Sequence, residues 1–316
     1  MVQQPSTHWR RRALAIRGAA LFAMLPILSG ATAADTPPSA QASPGLDQIT
    51  VEAKRERAII ERQVKTFVSA IAVAPFKESL ARWRIPLCPL VAGLPRDHGE
   101  FILARVSQIA EAAGVPLAPE HCRGNFYVVV TANPEALLKA WNKRDDSLFG
   151  DAGGMKIRSF LNTSSPVRVW YNAHLDTAEG TPLSADMPGL TQSGPSTVPV
   201  FAGVPNNTHA LGFRLARDEV RDLSSVIVMV DSRRAKGVNF GQLADYVAMA
   251  GLAELRLDAD VGDAPTILHL FSASGKPPPG LSAWDRAYLK ALYHTEQADM
   301  TQVAEIRTSM IRDVAP

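Results

Sequence analysis

The 316-residue sequence is poor in the residues that carry the commonest catalytic chemistries. It has two cysteines and seven histidines, one of them His8 near the start. Of the other six (His98, His121, His174, His209, His269 and His294), the nearest two are 23 residues apart. No pair stands at i, i+4 on a helix and no Cys/His cluster forms, so a zinc site would need ligands from distant segments. There is no Gly-x-Ser-x-Gly elbow, no Ser-x-x-Lys and no Gly-x-Gly-x-x-Gly. Ser274-Gly275-Lys276-Pro277 ends like a phosphate loop but lacks its earlier glycine. Pro277 also removes an N–H that a phosphate cradle needs. No cofactor is therefore expected. Aromatics make up 7% of the chain, and no stretch interleaves them with basic residues, so nucleic acid is not expected as a partner.

What the sequence does have begins at its start. Arg10, Arg11, Arg12 and Arg17 precede an apolar run from Gly18 to Leu28, and Ala31-Thr32-Ala33 follows as a small-x-small cleavage site. These three parts predict a signal peptide over residues 1–33 and a periplasmic or secreted product. The apolar run is well short of the ~20 residues that span a bilayer, and no later run is long enough, so no transmembrane segment is expected after cleavage. The Arg pairs leave a twin-arginine route as the alternative to general secretion. Without its four arginines the chain holds 29 basic against 31 acidic residues, so its apparent basicity belongs to targeting.

Export bears on Cys88 and Cys122. In an oxidising compartment an isolated pair reads as a disulfide, here closing a 34-residue loop. The rival is a nucleophilic or metal-binding thiol. No His/Asn pattern frames either cysteine, and both sit beside turn-formers (Pro86, Pro89, Gly124).

The hydrophobic content of 46% predicts a globular protein, and the helices and strands read below predict an α+β fold. Residues 34–48, proline-broken and polar, read as a flexible linker. Residues 49–147 read as an N-terminal α/β region with the disulfide, and residues 148–316 as a C-terminal α+β region. Ile60, Val64, Phe67, Val68 and Ile71 recur at helical spacing within a helix over about 52–73. Asp97 as cap, Glu100 three residues on and Gly114 as terminator frame a second helix between the cysteines. Phe126–Thr131 reads as a strand, and Asn133-Pro134 opens a further helix. Val167–Tyr171, Ser225–Val230 and Thr266–Phe271 read as strands. Between the first two, residues 178–207 are crowded with Pro, Gly, Ser and Thr and read as a mobile loop. Asn239 caps a helix running to about Glu254, Ser282 and Asp285 form a capping box, and a last helix starts near Met300.

Three residues stand out as candidates for a non-standard site. His174 and Asp176 fall at a strand end in the pattern of a metal-ligand pair or of a base and its orienter, and His209 lies across the loop. The plain reading is a strand-edge His and a turn Asp. Asp145-Asp146 and Asp258-x-Asp260 read as solvated loop charge.

Gly241-Gln-Leu-Ala-Asp245-Tyr-Val-Ala-Met-Ala-Gly251 follows a strand, and Leu281-Ser-Ala-Trp-Asp285-Arg-Ala-Tyr-Leu-Lys-Ala-Leu-Tyr293 comes later. This order resembles a group of uncharacterised secreted bacterial proteins distantly related to zincin metallopeptidases. In them an Asp-x-x-x-Leu-x-x-Leu-Tyr motif follows the helix that corresponds to the zinc-binding one. The matching segments cover roughly Val226–Tyr293. The resemblance implies a zincin-like C-terminal half, yet its overlay puts Gly241 and Asp245 at the two His positions and Gln242 at the Glu position. Glycine has no ligand atom and glutamine cannot take a proton at neutral pH, so zinc hydrolysis is not expected of this helix. Its polar residues are either a relic site or an ordinary amphipathic face. Separately, Asp47–Ala53 resembles the short box by which outer-membrane receptors engage TonB through strand addition. A short edge strand is the plain alternative.

The expectation is therefore an exported protein that binds another protein or an envelope component without catalysis. The alternative is a secreted hydrolase built around His174, Asp176 and His209. A purely structural envelope role is the third reading.

Overall fold

The computed structural model describes residues 44–73, 79–144, 146–150, 153–177, 219–272, 275–295 and 301–315. The expected leader 1–33, residues 34–43 of the expected linker, the expected loop 178–207 and His209 lie outside the described residues.

The fold is α+β: helices cover a four-stranded mixed sheet. β1 (Pro89–Ala92), β2 (Phe126–Thr131), β3 (Val167–Thr177) and β4 (Glu219–Asp231) lie in the order β1-β2-β4-β3. β1, β2 and β4 run parallel, with Phe126 opposite Val226, and β3 is antiparallel to β4. The central strands β2 and β4 need apolar residues on both faces because helices cover both. The run Val226-Ile-Val-Met-Val230 of β4 meets that need, with every side chain buried. In β2, Phe126, Val128, Val129 and Val130 are buried in the same way.

Strands from 49–147 and from 148–316 are neighbours in this one sheet, and Leu46–Pro316 forms one compact unit. The larger core gathers α1 (Pro44–Ile71), α2 (Arg96–Ala113), α5 (Phe240–Leu252), α6 (Ala283–His294) and α7 (Gln302–Val314) with Val226, Val228 and Val230 of β4. The smaller core places α3 (Pro134–Arg144) and α4 (Gly154–Asn162) with Val129, Ile227 and Met229. In α1 the predicted face is the buried one: Val64, Phe67, Val68 and Ile71 are fully enclosed, and Phe67 meets the Trp284 ring edge-on at 5.7 Å. Gly251 lets α5 approach β2, since a Cβ there would lie 2.3 Å from the Phe126 ring.

Several expectations need correction. α1 begins at Pro44, so residues 44–48 are helical where the sequence predicts a linker. Proline suits the first helical turn because its missing N–H would have no partner there. Asp47–Ala53 therefore lies inside α1, and is neither an edge strand nor an extended peptide ready for strand addition. α2 starts at Arg96 with Pro95 as its cap, and Glu100 pairs with Arg96 at 2.6 Å in place of a capping box. Gly114 does end it, at φ 92°. Ile267–Phe271 is a 3-10 turn and not a strand. Thr266 Oγ1 accepts from Leu268 N–H and Asp285 accepts from Ile267 N–H, which removes amides a ladder would use. β1 is too short and proline-led to be read from sequence.

The Ser282–Asp285 capping box and the Asn239 cap form as expected, and Asn133 accepts from Ala136 N–H at 3.2 Å. Cys88 and Cys122 form a disulfide, tying the entry of β1 to the segment that follows α2.

Candidate functional site

His174 and Asp176 share one face of β3 because side chains alternate along a strand. Their Nε2 and Oδ2 atoms stand 3.1 Å apart. The register sets His174 opposite Asp222 of β4. Strict alternation from Val226, Val228 and Val230 would send Asp222 into the larger core. A bulge prevents this: Asn172 pairs with Ser225 and Ala173 with Leu223, leaving Ser224 as the extra residue. The extra residue reverses the alternation. Leu223 turns into the core, and Asp222 joins His174 and Asp176. Asn172 holds the bulge by donating to Ser225 Oγ at 2.8 Å, while Ser224 Oγ donates to the Asn172 carbonyl at 3.1 Å.

Asp176 and Asp222 are 5% and 3% exposed, whereas the His174 side chain is 43% exposed. The carboxyls thus sit below an imidazole that reaches solvent. Arg84 stands 3.6 Å from Asp222. It is delivered by residues 79–87, which run beside the start of β4 with Arg82 bridging Asp222 through the backbone. Oδ1 of Asp176 and Oδ1 of Asp222 meet no hydrogen-bond donor among the described residues. The two carboxyls stand side by side, and a hydrogen bond between them needs a proton on one. Burial, together with the neighbouring Asp176 carboxyl, raises the Asp222 pKa to about 6 against the pull of Arg84 and His174. A carboxyl of this kind can hold or hand on a proton near neutrality.

His174 and Asp176 are therefore brought together, while His209, the third expected member, lies outside the described residues. Asp222 and Arg84 complete the cluster. Asp222 is missed because a bulge leaves no mark in the alternation of a short apolar run, and Arg84 because its segment reaches β4 from 140 residues away in the chain through the Arg82–Asp222 bridge. Among the described residues no group of three His, Cys, Asp or Glu side chains could hold a metal ion.

The three helix positions singled out by the resemblance have a different fate. Asp245 is 2% exposed and accepts from Arg105 through both oxygens and from Leu281 N–H at 2.6 Å. Gln242 donates to the Pro278 carbonyl at 2.6 Å. Gly241 offers only its N–H, to the Asn239 cap. These bonds pin residues 278–281 to α5 and leave no converging ligands, so this helix does not fit zinc. Three other histidines have structural engagements. His98 packs edge-on to Phe240, while His269 and His294 bond the carbonyls of Ala264 and Lys290. His121 is exposed beside the disulfide, at φ 62°. No protein-family model, curated protein or solved structure matches the chain.

Proposed function

We propose that this is an exported protein of the cell envelope or extracellular space that binds another protein or an envelope component without catalysis. The observation that supports this most is the fate of Gly241, Gln242 and Asp245. Where a zincin needs two ligands and a base, these residues hold a neighbouring segment in place. The disulfide suits an oxidising compartment, and among the described residues no helix is long and apolar enough to cross a membrane.

Zinc content of the purified, oxidised protein tests the reading, and well below one equivalent is expected. Stoichiometric zinc that disappears in His174→Ala or His209→Ala would replace it. A fusion of residues 1–33 to a phosphatase that is active only outside the cytoplasm tests export, and an inactive fusion would remove that part.

A second reading, a hydrolase around His174 and Asp176, is favoured by one observation: the buried Asp176–Asp222 pair beneath an exposed imidazole, with the Asp222 pKa raised to about 6. Peptide or ester hydrolysis by the protein, abolished in Asp222→Asn with folding retained, would establish it in place of the binding reading.

A further inference from the structure

α6 lies between α2 and α7 and packs on both. Above it opens a cavity of about 730 Å³, within the size range of small-molecule sites. The hollow exists because the helices present small side chains there: Ala112 and Ala113 from α2, Ala283 and Ala287 from α6. Ile109 and Leu289 complete an apolar floor.

Its rim is basic. Arg105, Arg286, Lys290 and Arg312 surround the opening with Asp313 as the acidic member. Arg105 is neutralised by Asp245, and Lys290 by Asp313 at 2.9 Å. Arg286 and Arg312 are different. Their bonds go to uncharged oxygens, the Leu281 carbonyl and Ser309 Oγ. Among the described residues, these two exposed guanidinium groups face an apolar hollow without a carboxylate partner.

We infer that this cavity binds a single-chain anionic amphiphile, such as a long-chain carboxylate, with its tail on the alanine floor and its head group between Arg286 and Arg312. Apolar area supplies the attraction for the tail, and guanidinium groups pair with a carboxylate through charge-assisted hydrogen bonds. The inference names a ligand class for the binding reading above and rests on it only in treating the molecule as a binder.

Isothermal titration of the oxidised protein with dodecanoate, kept below its micelle concentration, tests it. Saturable one-to-one binding is expected, weakened about tenfold or more in the double variant Arg286→Gln/Arg312→Gln. Both arginines are exposed, so the variant should keep the wild-type melting temperature. Dodecanol, which has the tail without the charge, should bind about tenfold more weakly or worse. Ala287→Leu, which fills the floor, should also reduce binding. No saturable binding up to roughly 1 mM dodecanoate would overturn the inference. So would equal affinity for dodecanol, an unchanged affinity in the double arginine variant, or binding to phosphatidylglycerol vesicles without binding to dodecanoate. Zinc content is independent of these results, so the binding reading can fail while this inference stands, and the reverse.

Discussion

Around α5 and α6 the chain buries Asp245 and Asp285; where β3 meets β4 it buries Asp176 and Asp222. All four are 5% exposed or less, yet their surroundings differ. Asp285 accepts from Thr266 Oγ1 at 2.5 Å, Ile267 N–H at 2.9 Å and Ser282 N–H at 2.8 Å. Asp245 has Arg105 and Leu281 N–H. Asp176 and Asp222 each keep an oxygen with no donor among the described residues, and they face each other. Burial of a carboxylate therefore says little by itself. Where donors surround it, the group is a fastener. Burial raises the Asp285 pKa too, but its donors pull it back down, whereas Asp222, with a second carboxylate beside it, holds its proton up to about 6.

Removing the best-fastened carboxylate should do the most damage. Asp285→Ala removes an N-terminal cap and leaves a buried hydroxyl and a buried amide without an acceptor. A loss of about 4–5 kcal/mol is expected in urea unfolding. Asp245→Ala should cost about 3 kcal/mol, because Leu281 N–H is stranded and Arg105 loses its counter-charge. Arg105 is partly exposed and can rehydrate, which keeps this loss smaller. If either variant proved neutral, the contrast between the two regions would collapse.

The two regions also differ in how far sequence exposes them. The Ser282–Asp285 box is a local pattern, since the cap and its partner are three residues apart, so it is legible. The helical spacing in α1 and the caps at Asn133 and Asn239 are legible for the same reason. The Asp245 bonds are not, because Arg105 is 140 residues away in the chain. Nor is the Asp176–Asp222 pair. His174 and Asp176 can be noticed as neighbours on a strand, but Asp222 joins them only through the extra residue Ser224. The 3-10 turn at Ile267–Phe271 is missed for a related reason: its apolar run looks like a strand until Asp285 takes its first amide.

The smallest effect has the opposite sign and depends on pH. Asp222 in the folded protein holds its proton up to about 6, whereas in the unfolded chain it would release it near ~3.9. The folded state binds this proton more tightly, so the group favours folding more as pH falls from neutrality through 6 towards 4. Above that window Asp222 carries its charge in a buried site beside Asp176, and stability is lower. Asp222→Asn keeps a donor for Asp176 at every pH. At pH 8 it should be more stable than wild type by about 2 kcal/mol. At pH 4.5 the difference should nearly vanish, because wild-type Asp222 is then protonated. Urea unfolding of both proteins at the two pH values measures this. A variant less stable than wild type at both would mean that Asp222 is a fastener like Asp285, and the distinction between the two regions would be lost.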